Sequence, residues 1–123
     1  MKPVVLYIED NPDNMLLIER VLRARNCELV QAAHGYTGLE YAKKNKPDLI
    51  LLDINLPDID GYEIAQRLRE DPETSLIPIV AVTANALKGD AEKAIAAGCD
   101  AYISKPINVR ELWENIRGFL ELE

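Results

Sequence analysis

Five short apolar runs divide the chain, and helical periodicity follows each of them. The runs are Val4-Val5-Leu6-Tyr7-Ile8, Leu29 to Ala33, Leu49-Ile50-Leu51-Leu52, Ile79-Val80-Ala81-Val82 and Ala101-Tyr102-Ile103-Ser104. They are too short for helices, and the first is β-branched and aromatic, so they predict strands. A run with no polar alternation, such as Leu49 to Leu52, suits a strand covered on both faces. Between the runs, Asn14, Leu17, Ile18, Val21 and Leu22 recur at helical spacing behind Pro12 and Asp13. Gly35 breaks the second strand ahead of a helix over Tyr36 to Lys44. Ile64, Ala65 and Leu68 share one face of a helix over Tyr62 to Arg69. An Ala-rich helix over Ala86 to Ala97 stops at Gly98, and Asn108 caps a last helix with Val109, Leu112, Ile116 and Leu120 inward. Pro47, Pro72, Pro78 and Gly61 fall in the loops.

Strands alternating with helices imply a parallel sheet covered on both faces, with right-handed crossovers. At 123 residues the chain suits one domain, 1–123, with a single core. A doubly wound five-stranded sheet commonly takes the order 2-1-3-4-5, the flavodoxin-like α/β arrangement, with its switch point between strands one and three. Glu9 and Asp10 end strand one and Asp53 ends strand three, so that order brings the three carboxylates together. Carboxylates so placed raise one another's pKa unless a cation sits among them. An oxygen-only donor set favours a hard ion such as Mg²⁺. Thr83 ends strand four and Lys105 ends strand five. Their hydroxyl and ammonium on the same rim suit phosphate oxygens. The set as a whole suits phosphoryl transfer to an aspartate. Read singly, Asp53 is an ordinary turn former, Thr83 a strand-end residue and Lys105 a surface lysine. Four such residue types on one edge of four strands weigh against those readings.

Charge and composition exclude other classes. A net charge of −7 disfavours nucleic acid and anionic membrane, whose phosphates it would repel. No apolar run nears the roughly 20 residues that span a bilayer, and Val4 to Ile8 is too short for a signal-peptide core. Cys27 and Cys99 are isolated and read as reduced, buried residues of a cytoplasmic protein. His34, the only histidine, reads as a loop residue and supports no metal cluster or triad.

In ordered combination, Ile8-Glu9-Asp10-Asn11, Leu52-Asp53-Ile54-Asn55-Leu56-Pro57, Asp60-Gly61, Val82-Thr83-Ala84 and Ser104-Lys105-Pro106 are highly specific. Along nearly its whole length the chain resembles the receiver domains of bacterial two-component response regulators, of the stand-alone, CheY-like and DivK-like kind. The resemblance implies the CheY-like (βα)5 fold. It implies that Asp53 is phosphorylated from a phosphohistidine on a histidine kinase or histidine phosphotransfer protein. It implies that Asp10, Asp53 and the Asn55 carbonyl hold Mg²⁺ (or Mn²⁺), with Glu9 acting partly through water. Thr83 and Lys105 would bind the phosphoryl oxygens, with Ala84 leaving room, and Tyr102 matches the aromatic switch position. The Lys105–Pro106 bond is expected to be cis. Such a chain loads and unloads its own phosphate and is not a turnover enzyme. With no output domain in the sequence, it would signal through the fourth helix, fifth strand and fifth helix to a downstream protein target. Met15 and Leu16 are expected to face outward as part of the docking surface for the phosphodonor. Trp113 reads first as a partly buried core residue, with a place at the edge of the signalling surface as the alternative. A haloacid-dehalogenase-like phosphatase is the alternative, but it places a second Asp two positions after the nucleophile, where Asn55 stands. A flavodoxin-type carrier is disfavoured because the acidic loop after strand one would repel an anionic cofactor.

Overall fold

The computed structural model describes residues 2–56, 58–83 and 89–120. Strands β1 (Val4–Ile8), β2 (Glu28–Ala32), β3 (Leu49–Asp53), β4 (Ile79–Thr83) and β5 (Ala101–Ser104) alternate with helices α1 (Pro12–Ala24), α2 (Gly35–Asn45), α3 (Gly61–Glu70), α4 (Asp90–Ala97) and α5 (Val109–Leu120). All four strand pairings are parallel, and the sheet order is β2-β1-β3-β4-β5, as the sequence predicts. The Ala84, Ala86 and Pro57 expectations lie outside the described residues.

The unbroken apolar run of β3 is buried at every position. Its side chains divide between two cores by strand parity. Ile50 and Leu52 join Leu6, Ile8, Ile64, Leu68 and Ala94 under α2, α3 and α4. Leu49 and Leu51 join Val5, Tyr7, Ile18, Leu22, Leu112 and Ile116 under α1 and α5. Each fully buried Leu or Ile contributes on the order of 1.5–3 kcal/mol. The two-sided burial therefore holds β3, and the carboxylate at its end, more firmly than any edge strand.

Side-chain caps set where the helices start. Asn11 Oδ1 accepts the Asp13 and Asn14 amides at 2.8 and 3.2 Å, with Pro12 in the first turn. Asp60 Oδ1 accepts Tyr62 N–H at 2.9 Å, and Asn108 Oδ1 accepts Arg110 and Glu111 N–H at 3.0 and 3.1 Å. Asp58, from the loop after β3, accepts the Gly35 and Tyr36 amides and so ties that loop to the start of α2.

Several local expectations are corrected. Met15 is only 8% exposed and packs in the core with Ile18 and Leu22, whereas Leu16 is 49% exposed. Ile18, Val21 and Leu22 hold the expected inward stripe of α1; Met15 joins it one turn earlier, while the half-buried Asn14 turns its amide to Glu9. Val109 is 44% exposed, since the first residue of α5 lies beyond the edge of the core. β2 begins one residue early, at Glu28, whose N–H bonds Pro3 O at 2.8 Å. Gly35 opens α2 rather than lying ahead of it. Trp113, by contrast, is partly buried against the core on the α1 and α5 side, the place expected of it, and the Arg25 guanidinium stands 5.1 Å from its ring centroid.

Candidate functional site

The carboxyl ends of β1 and β3 lie side by side, with Ile8 paired to Leu52. Glu9 leaves β1 buried, Asp10 follows it into solvent, and Asp53 is the buried last residue of β3. Carboxylate oxygens of Glu9, Asp10 and Asp53 all lie within 4.8 Å of one another. Three carboxylates this close repel each other unless a cation or a proton intervenes. Lys105, just past β5, reaches back over the rim. Its Nζ stands 3.3 Å from Asp53 Oδ1 and 3.6 Å from Glu9 Oε1.

The burial of Glu9 has an electrostatic consequence. Desolvation, and then the Asp53 carboxylate beside it, push the Glu9 carboxyl up to about 7, while Asn14 and Lys105 pull the other way. Asn14 Nδ2 donates to Glu9 Oε1 at 2.7 Å, and the Tyr7 hydroxyl donates to the same oxygen at 3.3 Å. Glu9 Oε2 is buried with no hydrogen-bond partner. An orphaned carboxylate oxygen in an acidic cluster is the group a cation would satisfy, and the donor set is all oxygen. The residues present therefore fit a hard divalent ion.

Asp53 Oδ1 accepts the Asn55 N–H at 3.1 Å as well as Lys105. Gly61 opens α3 against the end of β3. A Cβ there would lie 2.6 Å from Ile54 Cα and 3.0 Å from Asp53 O, so only glycine lets the helix start so close to the acidic residue. Thr83 is buried at the end of β4, and its carbonyl accepts Lys105 N–H at 2.8 Å. The Lys105–Pro106 peptide is cis. Tyr102 pairs in register with Ala81 and is exposed.

Residues 5–117 match the response regulator receiver domain family. The chain belongs to that family. A similar curated relative is the polar-differentiation response regulator DivK of Brucella anthropi, 42% identical over 98% of both chains. Among solved structures, the receiver domain of the sensor histidine kinase PA1611 from Pseudomonas aeruginosa is 34% identical. It has a TM-score of 0.90 over 99% of this chain and 100% of that one, and it was solved with a magnesium ion coordinated in its active-site cleft. A CheY-like receiver protein from Methanospirillum hungatei is 28% identical, with a TM-score of 0.89 over 98% and 95% of the two chains. This is thus a receiver domain of two-component signalling, similar to DivK, and the haloacid-dehalogenase alternative finds no support.

The receiver gathers Glu9, Asp10, Asp53 and Lys105 as the sequence led one to expect. Sequence reasoning missed Tyr7 and Asn14, which hold Glu9 from the core side and from α1. Tyr7 carried a signal in retrospect, being the one hydroxyl in the apolar run that Glu9 follows. The two cysteines are buried, and burial pushes the Cys99 thiol up to about 11. Neither stands as a reactive thiolate. Among the described residues no helix is long and apolar enough to cross a membrane.

Proposed function

We propose that Asp53 is the phosphoacceptor of this receiver and that Glu9, Asp10, Asp53 and Asn55 hold a Mg²⁺ or Mn²⁺ ion. The observation that carries the reading is the buried Asp53 carboxylate, within 4.8 Å of Glu9 and Asp10 and ion-paired to Lys105. An Asp53 carboxylate oxygen attacks phosphorus of a phosphohistidine. A P–O bond forms, the P–N bond breaks, and the electron pair stays on the imidazole nitrogen. Lys105 neutralises one oxygen of the arriving group, and Thr83, on the same rim, donates its hydroxyl to another. A bound divalent ion supplies charge neutralisation for the phosphoryl oxygens.

The donor is a histidine kinase or histidine phosphotransfer protein of the cytoplasm, and the output is a downstream protein. Exposed Leu16, on the first turns of α1 beside the acidic rim, is the part of the expected docking pair that remains. Hydrolysis of the acyl phosphate returns the carboxylate without a separate enzyme.

Acetyl phosphate with Mg²⁺ should add a single phosphoryl mass to the wild-type chain. That mass should be absent from Asp53→Asn and after EDTA. Undiminished labelling of Asp53→Asn would overturn the assignment.

A further inference from the structure

We propose that Tyr7 is a positioning residue for the metal site, acting through Glu9; the inference rests on the divalent-cation reading above. Tyr7 is fully buried in the middle of the α1/α5 core, where a plain hydrocarbon would pack as well. Its hydroxyl is the exception to that apolar setting, and a buried phenol needs a partner. The partner is Glu9, two residues on and so on the same face of β1.

The geometry at Glu9 is lopsided. The Tyr7 hydroxyl at 3.3 Å, Asn14 Nδ2 at 2.7 Å and Lys105 Nζ at 3.6 Å all address Oε1. Oε2 is buried and has no partner. A carboxylate held by one oxygen from the core, from α1 and from the β5 rim has little freedom to rotate. Its second oxygen is kept for the acidic cluster that Asp10 and Asp53 complete. Asn14 alone, on the first turn of α1, would leave the carboxylate able to swing about a single bond. Tyr7 supplies a second direction of restraint, from a side chain that the core itself immobilises. Partners of this kind, which orient a metal ligand without touching the metal, typically change metal affinity by about 10–100-fold. At 3.3 Å the bond is long for a hydroxyl donor, which places the effect at the lower end.

The opposing reading makes Glu9 the servant of Tyr7, a carboxylate that merely satisfies a core hydroxyl. The two readings differ in what Tyr7→Phe does, a change that removes only the oxygen. Calorimetric titration with MgCl₂ should show Tyr7→Phe binding about tenfold more weakly than wild type. The thermal midpoint of the metal-free chain should not fall. In a Glu9→Gln background, Tyr7→Phe should change Mg²⁺ affinity no further, because the residue through which it acts is gone. Equal affinity in wild type and Tyr7→Phe would overturn the inference, as would a tenfold loss that persists in Glu9→Gln. Should Tyr7→Phe melt early, Tyr7→Met serves as the second apolar replacement and must show the same loss. A wild-type chain that takes up no Mg²⁺ would overturn the metal reading and this inference with it, an outcome distinct from binding that is indifferent to Tyr7.

Discussion

Glu9 shows how one side chain can set a pH dependence. Burial and the neighbouring Asp53 raise its carboxyl from 4.5 to about 7. The folded chain therefore holds a proton that the unfolded chain has already lost between those values. Stability from this group is fully present below about 4.5 and falls as pH rises toward 7. At about 1.4 kcal/mol per pKa unit, the loss is on the order of 3.5 kcal/mol. Asp58 works in the opposite sense, since the Gly35 amide holds its carboxyl below the usual 3.8. Its contribution is lost only as pH falls, outside the Glu9 window. Urea midpoints of the metal-free chain should thus drop between pH 4.5 and 7. Glu9→Gln should flatten that slope, and added Mg²⁺ should restore stability at neutral pH by favouring the charged form.

At the scale of elements, the edge opposite the site is held by one arginine. Arg69 of α3 donates to Gly98 O, Ser75 O and Ile77 O at 2.8, 3.0 and 2.7 Å, and to Asp100 Oδ2 at 2.6 Å. Asp100 Oδ2 also accepts the Ile79 N–H at 2.9 Å, at the start of β4. The arginine therefore links α3, the start of β4 and the turn from α4 into β5. Gly98 ends α4 at φ 116°, and a Cβ there would lie 2.5 Å from Arg69 Cγ. Gly98→Ala should lower the unfolding free energy by about 1–3 kcal/mol, since it strains the backbone and displaces a pinned side chain. Gly118, inside α5, is the control. A Cβ there meets nothing within 4 Å. Gly118→Ala should raise stability by roughly 0.5–1 kcal/mol through helix propensity alone. Urea denaturation of the pair reads both.

Taken whole, the molecule is firm at its centre and looser at one flank. β3 is paired on both edges and buried on both faces, whereas β5 is an edge strand whose Tyr102 is exposed. Tyr102 lines a groove of about 440 Å³ with Ala91, Glu92, Ile95 and Ala96 of α4. A phosphoryl group on Asp53 would bring about −1.5 to −2 charges to the rim, by analogy with other phosphorylated side chains. Drawing Thr83 toward it would open space that Tyr102 can fill, and the groove would change shape. Addition of beryllofluoride, an acyl-phosphate mimic, should therefore move amide resonances chiefly in residues 83–97 and 101–105. Thr83→Ala should shrink those shifts while Mg²⁺ still binds. Shifts confined to the Asp10, Asp53 and Lys105 loops would mean that the signal does not leave by this face.

The order of elements, the two-sided burial of β3 and the acidic rim were legible in the sequence. Each depends on local pattern plus the few topologies that right-handed crossovers allow. An unbroken Leu-Ile-Leu-Leu run has one comfortable place in a doubly wound sheet, and the residue that follows it inherits the carboxyl edge. What tertiary structure alone decided is direction within an element. Helical spacing admits both Asn14 and Met15 to the face of Ile18, one at i−4 and the other at i−3, and does not say which of them packs in the core. Met15 packs in the core with Ile18 and Leu22, while Asn14 turns its amide to the buried Glu9 carboxylate. Val109 likewise has the right spacing but is left exposed at the first position of α5. The Tyr7 contact needed both effects, strand parity to put the hydroxyl on the Glu9 face and a packed core to hold it there.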